Sequence, residues 1–231
     1  MVDENRPPRR RYIQGLRAEE TAQTRARILA VARERLADAD QLSVHEIAGL
    51  AGVSVQTLYS HFGSKGGLLS ALTEQFSTEV GLLAGFDQVW RCRHGEAALR
   101  AMAETTLGFW HNAWTFVQFA LRVRRTDPEV EARIAGLDES RLGDLVVICR
   151  RLREEDRLRP GVAPARAARL AFALTTPYVY EALVKQCGLS APVATRMVVD
   201  ATVDAVLRPG TQPIQAVAID WARLGLKSPV A

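Results

Sequence analysis

The stretch SVHEIAGLAGVSVQTLYSHFGSK, residues 43–65, decides the fold of this chain. Ser43 followed three residues later by Glu46 is a capping box, in which the two side chains satisfy free backbone N–H groups at a helix start. A helix is therefore predicted to begin near Val44. Gly52 can adopt the positive φ that a tight turn between two helices requires, so we expect this helix to stop there.

A second helix is predicted directly after the glycine turn. Ser54 can cap its start, and Leu58 and Phe62 are spaced to face inward. Two short helices joined in this way indicate a helix-turn-helix, whose second helix lies in the major groove of DNA. A plain helical packing unit with a glycine turn is the alternative interpretation.

The residues around this motif resemble the N-terminal domain of the TetR (tetracycline repressor) family of bacterial transcription regulators. The resemblance implies an all-α fold, in which a three-helix helix-turn-helix DNA-binding domain precedes a C-terminal helical domain that binds a small effector and dimerises. The matching residues are Thr24, Arg25, Ile28, Leu29, Ala32, Leu36, Ser43, Val44, Ile47, Ala48, Ala51, Gly52, Val53, Ser54, Thr57, Leu58, Tyr59, Phe62, Ser64, Lys65, Leu68 and Leu69.

The chain departs from the family pattern in two places. Between its first two helices the family usually has a glycine and an aromatic residue, and here we expect Leu42 to fill the aromatic position. After the lysine that matches Lys65 the family commonly has acidic residues, whereas this chain has Gly66 and Gly67. Ser64 can cap the fourth helix, but glycine lowers helix propensity by about 1 kcal/mol per residue, so we expect a looser helix start.

Side-chain chemistry and the resemblance together give a set of candidate DNA contacts. The Gln56 amide can bind adenine, Val55 can touch a thymine methyl, and Thr57 can bond a phosphate or a base edge. In the resembling family the residues that match Tyr59 and Lys65 contact phosphates, as does the start of the following helix. The predicted set is Arg9, Arg10, Arg11, Ser43, Ser54, Val55, Gln56, Thr57, Tyr59, Ser60, His61 and Lys65.

Positive charge is concentrated near the N-terminus. The chain has a net charge of +4, but nine arginines and only three glutamates lie between Arg6 and Arg35. Because Pro7-Pro8 precedes residues 9–11, we expect these arginines to form an extended arm that follows the phosphate backbone or enters the minor groove. A solvated tail is the alternative. His61 either contacts a phosphate or packs at the end of its helix.

Composition excludes several classes of protein. The 231 residues are 48% hydrophobic, with no run of about 20 apolar residues and no signal peptide, which predicts a cytoplasmic protein without membrane contact. Cys92, Cys149 and Cys187 lack the spacing of a disulfide framework or a zinc site, although Cys92 lies between two arginines and is a candidate for redox sensing. We find no GxSxG, HExxH or phosphate-loop motif, and so expect no enzyme, catalytic residue, metal or cofactor.

The remaining chain is predicted to be helical, with a break suggested by Gly85 and the cluster 91–95. The predicted domains are a basic arm (1–17), a DNA-binding domain (18–80, with its motif at about 44–63), an effector-binding and dimerisation domain (81–208), and a tail with a short amphipathic helix (209–231). The first helix is predicted from about Ala18 or Thr24 to Ala37 and the fourth from Ser64 to about Leu83; later helices are predicted at 96–112, 114–125, 128–154, 164–187 and 191–207.

An aromatic-rich segment, residues 108–119, is the candidate wall of an apolar effector pocket. Pro177 should kink its helix and release a carbonyl upstream, which favours a cavity nearby. Ordinary core packing is the alternative for every one of these aromatic residues. Arg122, Arg124 and Arg125 could bind an anionic effector, but we expect them to pair with acidic neighbours such as Asp127 and Glu129. The candidate ligand-binding residues are Trp110, His111, Trp114, Gln118, Phe119, Thr176, Tyr178 and Tyr180.

The last two long helices, 164–187 and 191–207, are apolar on more than one face, so each needs two packing partners. We expect them to form a homodimer that binds a near-palindromic double-stranded DNA operator. In this interpretation the protein is a repressor, and a small, largely apolar or aromatic effector releases it from the operator. The alternative is an effector-independent DNA-binding or protein-docking module, which a dense second domain without a cavity would favour.

Overall fold

The computed structural model describes residues 9–36 and 43–210, and the side chains of residues 17–36 and 43–210. These residues form α-helices joined by short turns and no β-sheet, and a single antiparallel bridge joins Leu158 to Leu207. The predicted all-α class is confirmed. The helices are α1 (Arg9–Arg35), α2 (Val44–Leu50), α3 (Val55–Phe62), α4 (Lys65–Glu79), α5 (Leu82–Arg91), α6 (Gly95–Asn112), α7 (Trp114–Val123), α8 (Pro128–Glu154), α9 (Pro164–Leu174), α10 (Pro177–Glu181) and α11 (Ala191–Val206).

Helix α1 begins well before the predicted start at Ala18. Arg9, Arg10 and Arg11 form its first turn, so the prediction of an extended arm at these positions is wrong. The segment that follows contains no proline and is rich in arginine, alanine and glutamate, all of which favour helix. The predicted core position of Leu42 and the amphipathic tail helix lie outside the described residues.

Serine side chains cap the starts of α2, α3 and α4, as predicted. The hydroxyl oxygens of Ser43, Ser54 and Ser64 cap α2, α3 and α4. They accept hydrogen bonds from the backbone N–H groups of Glu46, Thr57 and Gly67 at 3.4, 3.0 and 3.0 Å respectively. The turn between α2 and α3 contains Gly52 with a φ of +65°, which confirms the predicted positive φ.

The break after α4 lies at a different glycine from the one predicted. Helix α4 ends at Glu79 rather than near Leu83, and Gly81 takes a φ of +62° between α4 and α5. Gly85 lies inside α5, where a Cβ would stand 2.6 Å from Thr105 Cγ2 of α6. Gly85 therefore permits the close approach of α5 and α6 and does not interrupt a helix.

The predicted helix 164–187 is interrupted rather than kinked. Helix α9 ends at Leu174, α10 begins at Pro177, and a π-helical turn continues it over residues 182–186. Proline has no N–H to donate to the preceding turn, and its ring disfavours helical geometry just before it. The carbonyl of Thr175 is thereby exposed to side chains of neighbouring helices.

Helix α4 joins the N-terminal helices to the rest of the molecule through one apolar core. Its buried residues Leu68, Leu72 and Phe76 pack in the same cluster as residues of α1–α3 and of α6–α8. The ring of Phe76 stacks on that of Phe116 in α7 with a centroid distance of 4.8 Å. A shift of α4 would therefore disturb its packing both against α1–α3 and against α6–α8. Among the described helices, none is both long and apolar enough to cross a membrane.

The two glycines at the start of α4 do not leave it loose. The N–H of Gly67 is held by Ser64, and that of Gly66 donates to Glu129 Oε2 at 2.7 Å. A Cβ on Gly67 would lie far inside van der Waals distance of the Phe62 carbonyl oxygen. The absence of a side chain at Gly67 is thus what allows α3 and α4 to meet at this angle.

We expect Gly67→Ala to destabilise the protein, by about 1–3 kcal/mol, because the new methyl group forces α3 away from α4. Gly49→Ala is the matched control, since a Cβ at Gly49 in α2 meets nothing within 4 Å. The control should gain about 0.5–1 kcal/mol from its higher helix propensity. Urea unfolding followed by circular dichroism measures both free energies of unfolding. Equal stability of the two variants would contradict the packing role of Gly67.

Candidate nucleic-acid interface and ligand cavity

Helix α3 packs against the core by one face and presents the other to solvent. Leu58 and Phe62 are buried, which confirms the two inward positions predicted. Gln56, Tyr59 and Ser60 are exposed on the opposite face. This helix therefore offers an amide and a phenol at the surface, the groups expected of a helix that contacts bases and phosphates.

Other residues of the predicted DNA-contacting set are partly occupied by contacts within the motif. The Thr57 hydroxyl lies 2.8 Å from Ser54 Oγ, and Ser60 Oγ donates to the Thr57 carbonyl at 2.7 Å. Val55 is half-buried against the apolar core, and the His61 ring lies beside that of Phe62. Gln56 and Tyr59 are thus the most available of the predicted contacts on α3.

Arginines of α1 hold the helix-turn-helix together. Arg27 Nε donates to the Ala51 carbonyl at 2.9 Å, and the Arg25 guanidinium lies 4.9 Å from the centre of the Phe62 ring. Arg35 pairs with the Glu46 carboxylate in the first turn of α2. Part of the predicted basic surface is therefore used for packing. The side chains of Arg9, Arg10 and Arg11 lie outside the described residues, and their DNA contacts stay a prediction.

The start of α4 contacts carboxylates of α8. Lys65, predicted to contact a phosphate, pairs with Asp127, and the Gly66 N–H donates to Glu129. Burial alone would raise the pKa of the Asp127 carboxyl, but hydrogen bonds from Lys65 and from the backbone N–H groups of Val130 and Glu129 together lower it. In this structure the Lys65 ammonium and the N–H of Gly66, at the predicted phosphate-binding position, therefore already interact with carboxylates.

Arg124 pairs with an acidic neighbour, as predicted, but its partner is neither Asp127 nor Glu129. Arg124 instead makes two hydrogen bonds to the Glu131 carboxylate, at 2.6 and 2.9 Å. The hydrogen bond that Arg124 donates to Glu131 raises the pKa of Arg124. Asp127 and Glu129 are left to contact α4.

A cavity of about 520 Å³ lies between helices α4 to α8 and the α9–α10 break. Its wall is mainly apolar and aromatic, with contributions from Phe86, Trp90 and Phe109 among others. Thr73 and Ser77 of α4 also line it, so the same helix that follows α3 reaches the cavity. Of the predicted ligand-binding residues, three line this cavity: Trp110, Thr176 and Tyr178.

The other five predicted ligand-binding residues face elsewhere. His111 Nδ1 lies 2.8 Å from the Tyr180 hydroxyl, and the Trp114 ring packs against the Tyr180 ring at 5.6 Å. Phe119 is fully buried in the core, and Gln118 lies outside the cavity wall. Ala113 separates α6 from α7, so Trp114 does not continue the helical face on which Trp110 lies.

A buried arginine is the main feature of the cavity that the sequence analysis missed. Arg141 of α8 donates through Nη1 to the Thr175 carbonyl at 3.2 Å and to its hydroxyl at 3.0 Å. Its guanidinium lies 4.0 Å from the centre of the Phe172 ring, and Trp110 Nε1 donates to the same carbonyl at 3.0 Å. Burial lowers the pKa of Arg141 to about 10. Arg141 precedes the apolar Leu145 by four residues, about one helical turn, and this spacing indicates that both side chains lie on the inward face of α8.

Two carboxylates of α8 accompany Arg141 on the cavity wall. Burial raises the pKa of Asp138, although the charges of Arg141 and Arg124 oppose the shift. Burial also raises the pKa of Asp144. The cavity therefore combines an apolar, aromatic lining with a row of charged groups along one helix, an arrangement suited to an apolar molecule with a polar end.

The surroundings of Cys92 do not favour redox sensing by its thiol. Cys92 is 7% exposed, and burial raises the pKa of its thiol even though Arg151 opposes the shift. Cys149 is fully buried, and burial raises the pKa of its thiol to about 12. Cys187 is exposed. A thiol with a raised pKa carries little of the reactive thiolate at neutral pH.

Comparison with known proteins finds a family match in the N-terminal part of the chain and solved structures of similar fold. Residues 28–72 match the model of the family described as bacterial regulatory proteins, tetR family. No curated protein matches the chain. Similar solved structures include NalD, the secondary repressor of the MexAB-OprM multidrug efflux pump in Pseudomonas aeruginosa, with 19% identity, 83% of this chain and 99% of that chain covered, and a TM-score of 0.60.

Two further similar structures contain small molecules. The transcriptional regulator FadR from Bacillus subtilis, in complex with stearoyl-CoA, has 20% identity and a TM-score of 0.60, with 78% of this chain and 98% of that chain covered. The complex of SmeT with triclosan has 18% identity and a TM-score of 0.62, with 85% of this chain and 98% of that chain covered. At these identities the likeness establishes the shared fold.

Thiol alkylation of the native protein at neutral pH should modify Cys187 first, because it is exposed whereas burial raises the pKa of the other two thiols. Mass spectrometry after a timed reaction identifies the labelled cysteine. Cys187→Ser should remove the fast phase, and unfolding the protein should expose the remaining thiols. Fast labelling of Cys92 in the native protein would restore the redox interpretation.

Proposed function

We propose that this chain, which belongs to the tetR family of bacterial regulatory proteins, is a homodimeric repressor that a small-molecule effector releases from its DNA operator. Members of this family are DNA-binding regulators and not enzymes. The DNA-binding unit corresponds to residues 18–80, and residues 81–208 form the effector-binding and dimerisation unit.

Sequence-specific contact is assigned to α3. Gln56 is exposed on its outer face and can offer both an acceptor and a donor to adenine in the major groove. Tyr59, 38% exposed on the same helix, can donate its hydroxyl to a phosphate. The buried pair Leu58 and Phe62 holds the helix in place, so that both polar side chains reach outward from a rigid support.

The observation that carries effector control is that α4, a helix of the DNA-binding unit, also lines the cavity. Lys65 at its start directly follows α3 and the Gly63 turn, while Thr73 and Ser77 further along line the cavity. A ligand in the cavity therefore contacts the helix on which the recognition helix rests. Because a ligand shifts a conformational equilibrium by its differential affinity, a ligand that prefers one position of α4 changes the population of the DNA-binding form.

The cavity favours effector control over the rival interpretation. An effector-independent DNA-binding or docking module would be expected to have a dense second domain, whereas here about 520 Å³ lies open inside it. The size falls within the range of small-molecule sites. SmeT and FadR, which share the fold, hold triclosan and stearoyl-CoA. We propose a largely apolar or aromatic effector whose polar end contacts Arg141 or its carboxylate neighbours.

Exposed apolar side chains on the last helices support dimerisation. Leu170 of α9 is 44% exposed, and Val193 and Met197 of α11 are 41% and 55% exposed. These are the two segments expected from the sequence to need a second partner. A second copy of the chain would cover them, and a two-fold dimer would place two α3 helices on half-sites about one helical turn of DNA apart.

Selection of bound sequences from a random duplex pool should recover a two-fold symmetric site. On that site, Gln56→Ala should lose about 1–3 kcal/mol at one base position in each half. Tyr59→Phe, which removes only the hydroxyl, should weaken binding to all sequences by about 0.5–1.5 kcal/mol. Titration against singly substituted sites measures both effects. Recovery of no motif, or an identical loss for the two variants on every duplex, would contradict base readout by α3.

Leu137→Trp should weaken binding of the apolar dye Nile red at least about tenfold, or about 1.4 kcal/mol, because the indole fills the cavity. Leu137 lines the cavity and is 39% exposed, so the larger side chain has room to enter. Leu83→Trp is the matched control, as Leu83 is 66% exposed on α5 away from the cavity wall. Dye titration by fluorescence measures both affinities, and an equal loss in the two variants would contradict the cavity as the binding site.

A further inference from the structure

The start of α4 carries donors for an anion directly after the candidate recognition helix. The Ser64 hydroxyl satisfies the N–H of Gly67 at 3.0 Å, which leaves the N–H of Gly66 without a partner in its own helix. The Lys65 ammonium is the neighbouring side chain. A cation beside such an N–H, at the positive end of a helix dipole, favours a negatively charged oxygen.

Two carboxylates from the start of α8 occupy this position. The Gly66 N–H donates to Glu129 Oε2 at 2.7 Å, and Lys65 Nζ pairs with Asp127 Oδ2. The side chains of Lys65 and Asp127 are only 26% and 11% exposed, so solvent screens this pair less than a surface pair. Asp127 Oδ1 also accepts from the N–H groups of Glu129 and Val130 at 3.1 and 3.3 Å, which caps α8.

Gly66 leaves room for this contact. A Cβ at residue 66 would stand 3.2 Å from Glu129 Oε2, closer than an ordinary van der Waals contact. The glycine thus allows the carboxylate to approach the backbone N–H directly. The same opening would admit a phosphate oxygen, which has the same charge and the same preference for N–H donors.

We infer that Asp127 and Glu129 act as an internal phosphate mimic, so that α8 and a DNA phosphate compete for Lys65 and Gly66. The inference rests on the proposed DNA-binding function. A phosphate that receives the Gly66 N–H must displace Glu129, because the donor already points at that carboxylate at 2.7 Å. The like charges of the phosphate and the two carboxylates oppose simultaneous occupation.

Helix α8 connects this contact to the cavity. The two carboxylates belong to its N-cap and its first turn, and Ile134, Leu137 and Arg141 further along the same helix line the cavity wall. A ligand that favours the present position of α8 keeps the carboxylates on α4 and lowers the affinity for DNA. Effector and operator are then linked through a single rigid helix.

The variant Asp127→Asn/Glu129→Ala tests the competition. Asparagine caps a helix as well as aspartate does, so α8 keeps its cap while both negative charges leave α4. The probe is a mixed-sequence DNA duplex, since phosphate contacts do not depend on sequence. We expect binding to tighten roughly tenfold, with a salt dependence steeper by about 0.9 in log–log slope as Lys65 gains a phosphate.

Glu131→Ala is the matched control. It removes one negative charge, as Glu129→Ala alone does, from a position two residues further along α8, where the carboxylate pairs with Arg124 instead of a residue of α4. The control accounts for the general effect of removing negative charge near DNA. The gain of the double variant should also vanish when Lys65→Ala is added. A gain no larger than that of Glu131→Ala, or one that persists in full without Lys65, overturns the competition.

Hydrogen exchange of the Gly66 amide, followed by NMR without DNA, tests the contact itself. We expect slow exchange in the wild-type protein and exchange at least about tenfold faster in Glu129→Ala, because the donor then faces water. Equal exchange rates overturn the contact whatever the DNA result. If Gly66 is protected but no variant binds any duplex, the proposed DNA-binding function fails and the competition with it. If all variants bind equally, DNA binding stands and the competition alone is overturned.

Discussion

The apolar face of α4 is the constraint on which the rest of the structure depends. Its buried leucines and Phe76 pack on α1 to α3 on one side and on α6 to α8 on the other, within a single hydrophobic core. Protein interiors are close-packed and do not deform smoothly, so such a core has few low-energy arrangements. The orientation of the recognition helix is therefore linked to the arrangement of helices around the cavity, although the two regions are separate in the sequence.

Much of the N-terminal part could be predicted from sequence because its signals are local. A serine cap acts within three residues, and the turn after α2 needs only Gly52, so the starts of α2, α3 and α4 follow from short patterns. The start of α1 and the role of Gly67 could not be predicted in this way. Considered alone, Gly67 lowers helix propensity. Its lack of a side chain permits the close approach of the Phe62 carbonyl, which only the packed structure reveals.

The cavity was predicted less well because the face a helix presents is set by its packing partners. Trp110 lines the cavity while Trp114, one helical turn later in sequence, packs on Tyr180, since the chain breaks at Ala113 between them. Arg141 was missed because an arginine in a charged helix resembles a surface residue. Its partners, the Thr175 carbonyl and the Phe172 ring, come from the other side of the α9–α10 break.

Asp127 divides its two oxygens between two helices, one to cap α8 and the other to bind Lys65. A change at this position therefore affects two interactions at once. Asparagine would preserve the first role and lose the second, glutamate would keep the charge but is a poorer cap, and alanine would lose both. The contact with Lys65 and the cap of α8 are thus separable by a single substitution, from aspartate to asparagine, that leaves the start of the helix capped.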